Sequence, residues 1–282
     1  MNFEYKKTPN ICCLCVVTFF CMVAGNVSVA QNLNPRFGTG DNIMLVGDSF
    51  SNDGITEWAG KVDRNADFSL DFFSAGGRSI RRMDELFSSQ YTPDTFDAVV
   101  IAGGINDITG LRATPSAILD SIESIIAQTN GEHIILTTLP PFAGNSAWTP
   151  TLQARADEVD RLVTNLAMNS PSVSLFDIRS VLDTDNDQVI DPELASSDNF
   201  HPRGCPLAAV CGQSVIADNF INQFEEVILG DLNQDGTVNS EDISSFIVVI
   251  LSGDFQAEAD CNEDGDVNFG DVGVFIQLLL ID

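Results

Sequence analysis

Between residues 41 and 180, short apolar runs alternate with longer stretches whose apolar residues recur every three or four positions. The runs at 43–46, 68–73, 98–102, 133–139 and 173–178 are too short for buried helices and are rich in Val, Ile, Leu and Phe, which predicts strands. The clearest helix is predicted over 114–128. There Ile118, Ile122, Ile125 and Ile126 share one face, behind Thr114 as cap and Pro115 in the first turn. A second helix is predicted over 151–168. Strands alternating with helices imply an α/β domain built on a parallel sheet with both faces covered. Sites in such sheets form beyond the carboxyl ends of the strands.

The pattern changes near Gly230. From there to Asp282 the chain has no Lys or Arg, and a 12-residue segment, 231–242, is repeated at 260–271. Each copy leads into an apolar run, 243–251 and 272–280, that predicts one helix. A second, small all-α domain therefore follows the first. The expected divisions are a leader at 1–30, a large domain at 41–228 and a small one at 229–282.

The leader reading rests on Lys6 and Lys7, the apolar stretch 11–24 and the small-residue site Ser28-Val29-Ala30. Together these have the form of a secretory signal, and the apolar core is short for a membrane span. The expectation is a secreted or cell-surface protein with no membrane span in its mature chain. Export leaves Cys205, Cys211 and Cys261. The first two are close enough in sequence to pair in an oxidising compartment, which leaves Cys261 odd. The formal net charge of −28 excludes a nucleic-acid binder driven by phosphate contacts and argues against adhesion to anionic lipid.

Candidate chemistry lies just after the strand candidates. Ser49 sits in Gly47-Asp48-Ser49, followed in order by Gly77, by Gly104-Ile105-Asn106-Asp107 and by Asp198-Asn199-Phe200-His201. A serine hydroxyl needs a base, and the chain has two histidines. His133 opens a strand candidate, and Lys61, the one lysine outside the leader, is expected on a surface helix. His201 is therefore the candidate base, with Asp198 placed to orient it. A serine between a strand and a helix start offers its own N–H to an oxyanion, aided by the helix dipole. Gly77 and the Asn106 amide offer two further donors. Asp48 is expected to brace the nucleophile turn. Two distant histidines do not suit a zinc cluster.

This set, in this order, resembles the SGNH (GDSL-type) hydrolases over residues 41 to 225. The resemblance implies a three-layer, flavodoxin-like parallel-sheet fold and a carboxylic ester hydrolase that needs no cofactor for catalysis. It implies Ser49, Asp198 and His201 as triad and Ser49, Gly77 and Asn106 as oxyanion hole. Departures are the adjacent Gly76 and Gly77 in the second block and Asn199 after the last aspartate, where family members often carry glycine.

Each C-terminal repeat puts oxygen ligands at positions 1, 3, 5, 9 and 12 around a glycine at 6, with position 7 giving its backbone carbonyl. This is calcium spacing. The ligands are Asp231, Asn233, Asp235, Thr237, Asn239 and Asp242, then Asp260, Asn262, Asp264, Asp266, Asn268 and Asp271. The tandem arrangement resembles a type I dockerin, which implies about two structural calcium ions and a cohesin-like protein partner. Positions 10 and 11, often small hydroxyl residues in that family, are Ser240-Glu241 and Phe269-Gly270 here. A third run has aspartates at 1, 3, 5 and 9, namely Asp183, Asp185, Asp187 and Asp191. Gln188 replaces the glycine, so this run is an equivocal calcium candidate. The combined reading is a secreted serine esterase removing short acyl groups, acetyl foremost, from polysaccharide. Other substrates are a lysophospholipid or lipid ester, with Phe142 or Phe200 at an acyl site. A different class is a surface-assembly protein with an inactive hydrolase domain.

Overall fold

The computed structural model describes residues 34–51, 57–204, 210–233, 235–252 and 255–280. The expected leader and Cys205 fall outside them. Five parallel strands form one sheet: β1 (Asn42–Gly47), β2 (Ser69–Ser74), β3 (Ala98–Ala102), β4 (His133–Thr137) and β5 (Val173–Phe176), in the order β2-β1-β3-β4-β5. Helices α1 (Trp58–Asn65), α2 (Ile80–Phe87), α3 (Ile105–Thr109), α4 (Pro115–Gln128), α5 (Pro150–Asn169), α6 (Ile178–Leu182) and α7 (Gly212–Phe224) connect or follow the strands.

Alternation along the strands divides the core. Met44, Val46, Val99, Ile101, Ile134 and Leu136 point to one face, packed with residues of α2, α4 and α5. Ile43, Leu45, Val100 and Ile135 point to the other, with Trp58, Phe176, Phe220 and Phe224. Both faces are buried, which is why the strands read as continuous apolar runs. The result is the expected three-layer α/β domain.

The two clearest helices carry the caps their sequences announce. Thr114 Oγ1 accepts from Ala117 N at 3.3 Å, and Thr149 Oγ1 from Leu152 N at 3.2 Å, each before a first-turn proline. Two expected strands end early. β4 stops at Thr137, and β5 stops at Phe176 because Asp177 caps α6 by accepting from Ser180 N. Lys61 corrects a reading: α1 is buried along residues 58–62, and Lys61 is 1% exposed, its ammonium without a hydrogen-bond partner among the described residues. Phe142 is likewise fully buried in the core and lines no acyl site.

The C-terminal segment holds α8 (Ile243–Ser252), a 3-10 turn (Ala257–Ala259) and α9 (Val272–Leu278). Phe246, Val249, Ala259, Cys261 and Phe275 form its core, with the Phe246 and Phe275 rings stacked 3.8 Å apart. Ile250, Leu278 and Leu279 pack partly buried against them. This is the shared helical core expected of the repeat.

Candidate active site

β1 lies between β2 and β3, so the sheet reverses its winding at the β1/β3 crevice, where ligands collect in open α/β sheets. Ser49 follows β1, and Asn106 opens the helix after β3. Both stand at the carboxyl edge. His133 begins β4 at the opposite end of its strand and bonds Ser174 Oγ at 2.9 Å, as a structural histidine would.

The nucleophile turn is tight. Ser51 N donates to Asp48 O at 3.1 Å and Phe50 N to Asp48 Oδ1 at 3.0 Å. A Cβ on Gly47 would lie 2.5 Å from Ser51 Cβ, so the turn requires glycine there. Ser49 is in this turn, and among the described residues the next helix begins at Trp58.

His201 comes from a distant loop that the large domain holds firmly. Ser196 N donates to His201 O at 2.9 Å, Ala195 bridges Pro202, and Gln213 Nε2 on α7 reaches Pro202 O at 3.4 Å. Cys211, at the N-cap of α7, is 1% exposed and disulfide-bonded. The loop brings His201 Nε2 within 3.0 Å of Ser49 Oγ and its Nδ1 within 2.7 Å of Asp198 Oδ2. Burial opposes ionisation of Asp198, but donors from His201 N, Ser196 Oγ, His201 Nδ1 and Phe200 N outweigh it. The carboxyl is held well below the usual carboxylate range. Asp198 is thus ionised wherever a neutral imidazole is available.

Gly77 has φ +71°, a conformation that favours glycine, and a Cβ on Gly76 would stand 3.9 Å from Ser49 Cβ. Asn106 Nδ2 donates to Asp48 Oδ2 at 3.1 Å and to Arg78 O at 3.2 Å, so the amide is fixed between the first two blocks. Asp48 is 1% exposed. Burial pushes its carboxyl up to about 7, against the Phe50 N–H, His201 and the Asn106 amide, while Asp107 adds repulsion. Asp48 braces the turn, as expected, and also holds Asn106, a role that spacing did not disclose. Asp107 accepts from Ile80 N at 2.7 Å and so ties α3 to the start of α2.

The two C-terminal loops repeat one hydrogen-bond pattern. Asp231 Oδ1 and Oδ2 accept from Asp235 N and Gly236 N, and Asp242 accepts from Asn233 N and Asn239 N, at 2.8–3.1 Å. Asp260 and Asp271 do the same with Asp264 N, Gly265 N, Asn262 N and Asn268 N. Asp231, Asp242, Asp260 and Asp271 are all buried, in a segment without a single basic residue. Four buried carboxylates with no cationic side chain among them suit a hard cation. In the Asp183 run, Asp183 accepts from Asp187 N and Gln188 N, and Gln188 takes φ +73°, near the +84° and +88° of Gly236 and Gly265. Carboxylate oxygens of Asp183, Asp185 and Asp187 lie within 4.8 Å of one another. Asp191, at position 9, accepts from Thr184 N and Oγ1, and position 12 is Leu194, which offers no side-chain ligand.

Comparison with known proteins agrees with this fold. The model of the GDSL-like Lipase/Acylhydrolase family matches residues 38–204, and that of the dockerin type I domain matches 229–280. Solved structures share the large fold. A variant of an acetyl-xylooligosaccharide esterase from Geobacillus stearothermophilus is 17% identical, with 67% of this chain and 95% of that one covered and a TM-score of 0.53. A member of the lipolytic protein G-D-S-L family from Veillonella parvula is 16% identical, covering 65% and 97%, with a TM-score of 0.50. No curated protein matches the chain.

Proposed function

Because the chain belongs to the GDSL-like lipase/acylhydrolase family, we propose that it is a secreted serine esterase that removes short acyl groups, acetyl foremost, from polysaccharide. The observation that carries the reading is the continuous Ser49–His201–Asp198 relay, with bonds of 3.0 and 2.7 Å. In this mechanism Ser49 Oγ attacks the ester carbonyl carbon and its proton passes to His201 Nε2. The N–H groups of Ser49 and Gly77 stabilise the oxyanion, joined by the Asn106 amide when it turns one of its two N–H groups from Asp48 or Arg78 O to the substrate. Collapse expels the sugar oxygen, which takes the proton from His201. Water, deprotonated by His201, then releases the acid from the acyl-serine.

The carbohydrate assignment draws support from the dockerin module and from the esterase of acetylated xylooligosaccharides that shares the fold. Among the described residues no helix is long and apolar enough to cross a membrane. Acetate release from acetylated xylan and acetylated pectin, measured beside hydrolysis of a lysophospholipid, tests the substrate class. Faster turnover of the lysophospholipid would overturn it.

The ligands of the C-terminal loops would be Asp231, Asn233, Asp235, Thr237, Asn239 and Asp242, and Asp260, Asn262, Asp264, Asp266, Asn268 and Asp271. Bound there, calcium supplies the positive charge that four buried carboxylates otherwise lack. An apolar groove between α8 and α9, where Ile247, Leu251, Phe269 and Ile276 are exposed, supports docking of a cohesin-like protein.

Cys205 is the proposed partner of Cys211. Closing so short a loop stabilises by about 2–3 kcal/mol and pins the chain just after His201. Intact-mass analysis of the denatured secreted protein, alkylated without reductant, should show one labelled thiol, at Cys261. Labelling at Cys205 as well would disprove the bridge.

A further inference from the structure

The hydrogen bonds at Nδ1 and Nε2, with the covalent tether through Cβ–Cγ, locate the His201 imidazole. Each hydrogen bond still tolerates small rotations about χ1 and χ2 that turn the lone pair off the path of the Ser49 proton. A ring packed flat against the imidazole limits those rotations. The Phe50 ring lies 4.8 Å from the imidazole, centroid to centroid, tilted by only 26°, which is a stacked arrangement. Phe200 meets the same imidazole edge-on at 4.8 Å and Phe50 edge-on at 5.2 Å, so the three rings brace one another.

Phe50 is rigid for independent reasons. It is 4% exposed, it belongs to the core cluster that includes Val46 and Ile101, and its N–H is held by Asp48 Oδ1. It is also the chain neighbour of Ser49, so nucleophile and ring platform move as one unit. A π face turned toward the imidazole also attracts the positive charge that the ring takes on with the serine proton during the reaction. The contact is therefore worth more in the transition state than in the resting enzyme.

We propose that Phe50 is a positioning residue for the base: its ring sets the plane of His201 and stabilises the imidazolium formed during proton transfer. The inference rests on the triad reading above, and its test separates the two. The chain has two histidines, so imidazole proton resonances are few and His201→Ala identifies those of His201. In the unaltered full-length protein they should lie upfield of an unstacked histidine, displaced by the Phe50 ring current. This arm needs no activity, and an unshifted His201 signal overturns the proposal whatever the enzyme hydrolyses. In the kinetic arm, Phe50→Leu keeps apolar bulk but removes the π face. It should lower kcat on an aryl acetate about tenfold with KM unchanged, the size of one aromatic contact. Phe50→Tyr should restore kcat to within about twofold. An unchanged kcat in folded Phe50→Leu, or a loss expressed in KM alone, would overturn the proposal. If Ser49→Ala retained full activity while the His201 signals were shifted upfield, the triad reading would fail and the stacking would stand.

Discussion

Ser49→Ala and His201→Ala each lower turnover of an aryl acetate by several orders of magnitude, and the double variant loses little more than either alone. The non-additivity follows because the hydroxyl and the imidazole perform one proton transfer together, so removing either removes the step. Neither change should unfold the protein. Ser49 is half-buried in a turn held by Asp48 and Ser51, and among the described residues its hydroxyl hydrogen-bonds to the His201 imidazole alone. Asn106→Ala differs in kind. It removes one of the three proposed oxyanion donors and should cost about 100- to 1000-fold in kcat. Near-normal turnover by purified Ser49→Ala would end the serine mechanism, and a loss below about tenfold in Asn106→Ala would take that amide out of the oxyanion hole.

What the chain discloses in advance depends on how local the determinant is. The strands were legible because a sheet buried on both faces needs unbroken apolar runs, and 43–46 and 98–102 are such runs. α4 was legible because fourteen residues carry enough turns for a period, with its cap and proline in place. α3 and α6, of five residues each, are too short to show one. Lys61 was misread because its burial is imposed by packing of α1 in the tertiary fold, and charge alone suggested a surface. The site shows the same division. Ser49, Asn106 and His201 stand in short recognisable blocks, and the structure brings them together. The link from Asp48 to Asn106 and the ring of Phe50 against His201 span 58 and 151 positions, and nothing in either residue's neighbourhood announces them.

Chelation of calcium should melt the C-terminal segment while leaving the triad intact. The segment from 228 onward carries 12 acidic residues and no basic ones, and four of its carboxylates are buried. Backbone N–H groups partly satisfy Asp231, Asp242, Asp260 and Asp271, yet no cationic side chain offsets their mutual repulsion. The apolar core that opposes this repulsion is small, essentially Phe246, Val249, Ala259, Cys261 and Phe275 with their partly buried neighbours. A core of that size does not hold an isolated domain against such repulsion, so binding free energy becomes folding free energy, as in other small metal-dependent modules. Cys261 reports the transition in the full-length protein. It is free and 4% exposed, so with calcium it should alkylate slowly, and with chelator quickly. Helical signal from α8 and α9 should fall in parallel and return on adding about two calcium ions per chain, or a third if the Asp183 run also binds. Magnesium should replace calcium poorly, because it demands a tighter octahedral site. Ester hydrolysis should persist in chelator, since Ser49, His201 and Asp198 reach one another through the large domain alone. If Cys261 is equally protected with and without calcium, these loops are not what folds the segment, and their buried carboxylates require another counter-charge.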